Sequence, residues 1–124
     1  MDDIFEISIN STKEIQKRVY QNKVRNGFNI TNIDREFCLL YCEISEAFDA
    51  YRKRLQSVGE ELADISIYLL GLAEMLDVDL GVEIDRKIQI NEQRTYTKDE
   101  NGVLIRMHTN SEKLIEHYFP DGMK

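Results

Sequence analysis

The sequence contains few of the residues that mark disulfide-rich, disordered or linker-like chains. Its 124 residues include two cysteines, one proline, six glycines and no tryptophan. So little proline and glycine argues against a low-complexity or disordered chain. Cys38 and Cys42 lie four residues apart on a predicted helix, where disulfide geometry is rarely met. We therefore expect one globular domain with two free thiols, and no zinc site, because no Cys/His set lies nearby.

A long hydrophobic run is also absent. The longest apolar stretch without a charged residue is the nine residues from Ile65 to Ala73, whereas a membrane-spanning helix needs about 20. The N-terminus, MDDIFEISIN, is acidic and lacks the basic region of a secretory signal. These absences predict a cytoplasmic protein with no membrane partner.

Excess positive charge is the third absence. The formal net charge is −7, and the lysines and arginines are scattered along the chain. Because a protein that binds duplex nucleic acid needs a basic surface, this distribution argues against that class of partner. It leaves open a small phosphorylated ligand, since divalent cations can lie between protein carboxylates and phosphates.

What the sequence does contain is helical periodicity. The capping-box pattern Ser11–Glu14 predicts a first helix that starts there, runs to about Arg25 and buries Ile15 and Val19. Gly27 is suited to the left-handed position that follows the helix. The residues before it are expected to form a short strand or a lead-in segment. Apolar residues at intervals of three and four predict three further helices, over residues 33–55, 60–76 and 80–94.

The second and third helices differ in the width of their apolar faces. The third is apolar on nearly every side, which is typical of a helix buried on several faces. In a chain this short, further copies of the chain are expected to supply part of the cover. The second helix has one apolar face, formed by Ile33, Phe37, Leu40, Tyr41, Ile44, Ala47, Phe48 and Tyr51.

The tail changes character after residue 96. Asn101–Gly102 predicts the turn of a β-hairpin, and Thr109 with Glu112 predicts the start of a short helix. The predicted fold is therefore an all-α, four-helix-type bundle completed by oligomerisation, with a C-terminal β-hairpin and a short helix.

Two pairs of acidic residues lie on adjacent predicted helices. Glu43 and Glu46 are three residues apart, as are Glu61 and Asp64, so each pair lies on one side of its helix. The segment between the pairs is long enough for the two helices to run antiparallel, which would bring the four carboxylates together. Such a cluster needs compensation, and Mg²⁺ or Mn²⁺, which prefer oxygen ligands, can supply it. The pattern predicts a metal site.

The same residues also have purely structural interpretations. Acidic pairs three residues apart are common on solvated helices that bind no metal. Lys87, Asn91 and Arg94 share one face of the fourth helix and are equally consistent with an interhelical salt-bridge set. Other chemistries fit less well, because the sequence has no Gly-rich phosphate loop, and His108 and His117 lie outside any Glu-x-x-His motif.

Three segments resemble the MazG-like all-α nucleoside triphosphate pyrophosphohydrolases: CEISEAFDAYRK, GEELADISIYLLGLAEMLDVDL and DRKIQINEQRTY. The signature of that family is ExxE, a spacer, ExxD and a downstream Lys-x-x-x-Asn-x-x-Arg. The resemblance covers about residues 22–96. It departs from the family at Cys42, where many members carry a second acid. The matching positions are Glu43 and Glu46, Glu61 and Asp64, then Lys87, Asn91 and Arg94.

The resemblance implies a Mg²⁺-dependent enzyme, with Mn²⁺ as a substitute, that works as a homodimer or homotetramer. It would hydrolyse a nucleoside triphosphate, in the ribo or deoxy form, to the monophosphate and pyrophosphate, in nucleotide-pool sanitation. The resemblance assigns the metal to Glu43, Glu46, Glu61 and Asp64.

The resemblance also assigns roles around the substrate. Lys87, Asn91 and Arg94 would face the phosphates, where Lys87 and Arg94 would stabilise charge on the leaving pyrophosphate. On chemical grounds rather than from the resemblance, a carboxylate not saturated by metal could take the proton of the attacking water, and Glu46 is our candidate. The segment NKVRNGFN resembles one found in shorter members, which would bring three further residues toward the substrate: Lys23, Phe28 and Asn29.

This interpretation divides the chain into a MazG-like helical domain, residues 1–96, and a C-terminal extension, residues 97–124, within one compact unit. The alternative is a catalytically inactive helical module that binds a nucleotide or a partner protein. A generic bundle, whose acids pair with Lys87 and Arg94, is the third interpretation.

Overall fold

A computed structural model describes residues 3–107 of the chain. Within that range the chain forms four helices and one two-stranded antiparallel hairpin, so the predicted all-α class with a β-hairpin is confirmed. The short helix expected from Thr109 onward lies outside the described residues. The elements are α1 Asp3–Asn26, α2 Ile33–Arg52, α3 Val58–Met75, α4 Leu80–Gln93, β1 Tyr96–Lys98 and β2 Leu104–Arg106.

The first helix begins at Asp3 and not at Ser11. The predictions of a strand or lead-in segment and of a helix start at Ser11 are therefore wrong. Thr12 Oγ1 donates to the carbonyl of Ser8 at 2.8 Å, the bond of a hydroxyl inside a helix. No glycine or proline interrupts residues 3–26, and extending a helix by one residue is far easier than starting a new one.

The burial predicted for α1 is also only partly correct. Val19 is half-buried, but Ile15 is 46% exposed. The buried side chain of this helix is instead Gln16. Its Nε2 donates to Glu74 Oε2 at 2.9 Å and to the Val78 carbonyl at 2.7 Å, while its Oε1 accepts from the backbone N–H of Leu80 at 3.2 Å. One amide thus satisfies three polar groups around the α3–α4 connection.

The connection between α1 and α2 follows standard capping rules. Gly27 has φ of +70°, the left-handed conformation predicted for the end of the first helix. Asn32 caps α2, since its side chain accepts from the backbone N–H of Arg35 at 3.0 Å. The chain therefore reverses direction between α1 and α2 through a short loop.

The chain divides into two compact units, Met1–Val82 and Glu83–Lys124. In the first unit, α3 packs against both α1 and α2. Small side chains at the buried positions of α2 and α3 let the helix axes approach closely. These positions are Ala47, Ala50, Gly71 and Ala73, with Leu72 between the last two.

Only part of the α2 face that the sequence predicts to be apolar packs within residues 3–107, where Ala47 is buried. Tyr41 is 72% exposed and Phe48 is 59% exposed, and Phe37, Ile44 and Tyr51 are exposed as well. Glu36, by contrast, is buried on the same helix. Helical periodicity identifies an apolar face, but it cannot tell whether a helix of the same chain covers that face.

The second unit contains most of α4 and the hairpin. Tyr96 pairs with Arg106 and Lys98 with Leu104, and Gly102 has φ of +79° at the predicted turn.

Among the described residues, no helix is long and apolar enough to cross a membrane. Cys38 and Cys42 are free thiols, as the sequence predicts.

Candidate functional site

Three carboxylates of the predicted acidic pairs converge where α2 packs against α3. Glu43 and Glu46 lie one turn apart on α2, and Glu61 lies in the first turn of α3. One oxygen from each of the three side chains lies within 4.8 Å of the others. We call these residues the acidic cluster.

Two members of the acidic cluster are partly removed from water. Glu43 and Glu61 are half-buried, whereas Glu46 is exposed. The Oε2 atoms of Glu43 and Glu61 are buried and have no hydrogen-bond partner among residues 3–107. Buried polar atoms are normally satisfied, so these two oxygens indicate a place for a ligand that accepts electron pairs.

The acidic cluster is also electrostatically unfavourable without a cation. Burial raises the pKa of Glu43, and repulsion from Glu46, Asp64 and Glu61 raises it further. Burial likewise raises the pKa of Glu61, with added repulsion from Glu46 and Asp64. Both carboxyl groups are therefore harder to ionise than ordinary ones.

Asp64 lies beside the acidic cluster without being part of the group of three. It is exposed on α3, one turn after Glu61. Its charge raises the pKa of both Glu43 and Glu61, so the four acids share one electrostatic environment.

The donor set of the cluster fits a hard divalent cation. All available donors are carboxylate oxygens, the ligands that Mg²⁺ and Mn²⁺ prefer. A dication would pair with the two unpartnered buried oxygens and offset the repulsion that raises both pKa values. The residues that could hold it are Glu43, Glu46 and Glu61.

A cavity of about 1160 Å³ lies between α1, α2 and α3. Its lining includes the three residues that the NKVRNGFN segment suggests, Lys23, Phe28 and Asn29. Asn29 also shapes the loop, because its Oδ1 accepts from the backbone N–H of Asn32 at 2.9 Å. The structure thus brings these three together around one cavity, whose positive charges come from Arg18, Lys23, Arg25 and Arg35.

Two cavity residues are missed by reasoning from the sequence. Glu36 forms an ion pair with Lys23, whose ammonium group also lies 6.0 Å from the centre of the Tyr68 ring. Burial raises the pKa of Tyr68, and the nearby charges of Glu43 and Glu36 raise it further. Helical spacing from the acidic pairs could have indicated that both residues lie on the same side of their helices as the acids. Glu36 is two turns before Glu43, and Tyr68 is one turn after Asp64.

Lys87, Asn91 and Arg94 lie in the second half of α4 and just beyond its end, in the second unit. Arg94 Nη1 donates to Asn91 Oδ1 at 3.0 Å, so these two share a face as the spacing predicts. Lys87 and Asn91 are exposed, whereas Arg94 is half-buried and its Nε has no partner among the residues described. The roles predicted for these residues stay predictions.

Comparison with known proteins identifies one family. A model of the MazG-like family matches residues 28–107. A search of curated proteins and a search of solved structures returned no match. The matched range is well over half of the chain and includes both acidic pairs and the Lys-x-x-x-Asn-x-x-Arg segment. The protein belongs to the MazG-like family.

Proposed function

We propose that this protein is a Mg²⁺-dependent nucleoside triphosphate pyrophosphohydrolase. The observation that carries the proposal is the convergence of Glu43, Glu46 and Glu61 with two buried, unpartnered carboxylate oxygens. Membership of the MazG-like family supports it. A nucleoside triphosphate has several negative charges, so it needs divalent cations between its phosphates and these acids.

The proposed reaction is hydrolysis of the bond between the α- and β-phosphates. A water oxygen forms a bond to phosphorus, the bridging P–O bond breaks, and the products are a monophosphate and pyrophosphate. Mg²⁺ bound at the acidic cluster would neutralise charge and act as a Lewis acid on the phosphate.

The protein's own residues have the remaining proposed roles. Glu46 is the exposed member of the acidic cluster, and its carboxylate is the proposed acceptor of the water proton. Glu43 and Glu61 would hold the cation. Lys87 and Arg94 are proposed to stabilise charge on the leaving pyrophosphate, with Asn91 contacting a phosphate.

We also propose that the working form is a homodimer or a homotetramer. Exposed apolar side chains on α2 recur at intervals of four and three, the spacing of a helix–helix seam: Phe37, Tyr41, Ile44, Phe48 and Tyr51. On α3 and at its C-cap, three leucines are exposed at intervals of seven residues: Leu62, Leu69 and Leu76. Apolar faces of this length are normally covered by another protein surface.

A turnover panel tests the proposed function. The common NTPs and dNTPs, dUTP and several oxidised or methylated dNTPs are each incubated with protein and Mg²⁺ or Mn²⁺. We expect a monophosphate and pyrophosphate, and reaction in ¹⁸O-water identifies the attacked phosphorus from the product that carries the label. Diphosphate with phosphate would indicate a different reaction. No product from any nucleotide would favour the inactive binding module.

A further inference from the structure

Glu36 is a buried carboxylate with one oxygen to spare. The residue is 2% exposed, and it lines the cavity between α1, α2 and α3. Its Oε1 accepts a hydrogen bond from Lys23 Nζ, whereas its Oε2 is buried and has no partner among residues 3–107. Because buried charged oxygens are costly to leave unsatisfied, this atom indicates a donor that a ligand supplies.

The chemistry of that donor follows from the ion pair. Oε1 of Glu36 accepts from the Lys23 ammonium group, and the oxygens of a carboxylate in such an ion pair accept hydrogen bonds and donate none. An N–H group of a ligand therefore binds Oε2 favourably. A ligand carbonyl or an unprotonated ring nitrogen at the same place is repelled, because both partners are acceptors.

The surrounding walls suit a flat heterocycle. Phe28 and Tyr68 are aromatic, and Leu39 and Ile67 are aliphatic, so the lining offers apolar surface against which a base can pack. The cavity adjoins the acidic cluster along both helices. Tyr68, in its lining, is one turn after Asp64 on α3. Glu36, also in its lining, is two turns before Glu43 on α2. A nucleotide with its phosphates at the acids has its base within reach of this cavity.

We propose that Glu36 determines the base specificity of the enzyme, with Oε2 accepting a hydrogen bond from an exocyclic amino group. The preferred bases then carry an amino group at C4 of a pyrimidine or C6 of a purine, as cytosine and adenine do. The proposal places the C4 or C6 substituent, and not the ring N–H at N3 or N1, against Oε2. Uracil and hypoxanthine have a carbonyl oxygen at that position and are therefore disfavoured. This inference rests on the proposed function, because it assumes that the ligand is a nucleotide.

The first test compares substrates that differ only at this position. The ratio of kcat/KM is measured for dCTP against dUTP and for dATP against dITP, in the presence of Mg²⁺. We expect kcat/KM to be about 10- to 100-fold higher for the amino-bearing member of each pair. This is the usual discrimination from one hydrogen bond between a base and a carboxylate. A ratio near one in both pairs, or a preference for the carbonyl-bearing members, would overturn the proposal.

The second test changes the carboxylate. In Glu36→Gln the amide presents both a donor and an acceptor, so we expect each ratio to fall at least about tenfold. The matched control is Asp49→Asn, which removes an exposed carboxylate from the same helix and should leave both ratios unchanged. Retention of the wild-type ratios in folded Glu36→Gln would assign the selectivity to another residue.

Two measurements keep the inference testable if the variant does not fold. Wild-type protein should accept N4-methyl-dCTP, which keeps one N–H donor, and discriminate against N4,N4-dimethyl-dCTP, which has none. Equal use of the two would contradict a role for the donor. Calorimetric binding of dCMP and dUMP without metal separates the two proposals, because a binding preference for dCMP without turnover would reject catalysis and retain the role of Glu36.

Discussion

At Glu61, burial and neighbouring charge act on the same equilibrium. Both raise the pKa of the carboxyl group, so the folded chain holds a proton at pH values where the unfolded chain has lost it. The stability contributed by this group is therefore present below the ordinary carboxyl pKa and is lost as pH rises through the raised one. Glu43 behaves in the same way. A bound divalent cation would reverse this loss, because it favours the ionised forms.

Substitution Glu61→Gln tests this coupling. Without metal, the melting temperature of the wild type should fall relative to that of Glu61→Gln as pH rises from about 4.5 to 7. Mg²⁺ should raise the wild-type melting temperature more at pH 7.5 than at pH 5, and it should have little effect on the variant. Turnover should drop at least about 100-fold while the helical circular dichroism is unchanged.

The control for this substitution is Glu14→Gln, which changes an exposed glutamate on α1. It should reproduce the wild type in melting temperature, in metal response and in turnover. A wild-type melting temperature that is unaffected by Mg²⁺ at every pH would contradict the proposed metal site, as would full turnover by Glu61→Gln.

At the scale of elements, the approach of residues 80–82, which open α4, to α1 depends on a missing side chain. A Cβ atom at Gly81 would lie 2.9 Å from the carbonyl oxygen of Ile9 and 3.1 Å from Cβ of Thr12. The first of these neighbours is a backbone atom, which cannot move aside without shifting a helix. The first turn of α4 can therefore lie this close to α1 only with glycine at position 81.

Gly81→Ala should consequently destabilise the protein. Alanine favours helix over glycine by about 1 kcal/mol, but overpacking against a rigid backbone typically costs about 1–3 kcal/mol. We expect a net loss of stability, measured by urea denaturation. Gly59→Ala, in the first turn of α3, is the control, because its Cβ would meet nothing within 4 Å. Greater stability of Gly81→Ala would mean that the backbone at Gly81 is not held this close to α1.

At the scale of the whole molecule, the exposed apolar faces of α2 and α3 are the surfaces through which we propose that the chain associates with itself. Phe48 lies within the α2 seam and is 59% exposed in the single chain. In Phe48→Lys, association would bury an unpaired charge, so we expect the dimer dissociation constant to rise at least about 100-fold. Sedimentation velocity at micromolar concentration should show an oligomer for the wild type and a monomer for the variant.

The control for that experiment is Glu14→Lys, which introduces the same side chain on the exposed surface of α1 and should leave the oligomer intact. A monomeric wild type at all accessible concentrations would reject the proposed homo-oligomer. The exposed seam would then need a different partner.

Much of the fold and part of the site follow from local sequence. Three boundaries are predictable because each depends on the backbone preferences of a few adjacent residues. Gly27 marks the end of α1, the DVDLG segment precedes the start of α4, and Asn101–Gly102 forms the hairpin turn. The helical spacing of Glu43 with Glu46 is likewise local. The start of α1 is not predictable in this way, because a capping pattern at Ser11 has no effect where the chain continues an existing helix.

The sequence by itself determined the helical class, the order of the elements and the presence of two acidic pairs on neighbouring helices. Only the tertiary structure decided which helical faces pack within the chain, that Glu61 joins Glu43 and Glu46, and that Glu36 lines a cavity with a spare oxygen. The physical reason is the sequence separation between the residues that interact. Helix formation depends on neighbours within a turn or two, whereas burial and convergence depend on segments that are distant in sequence.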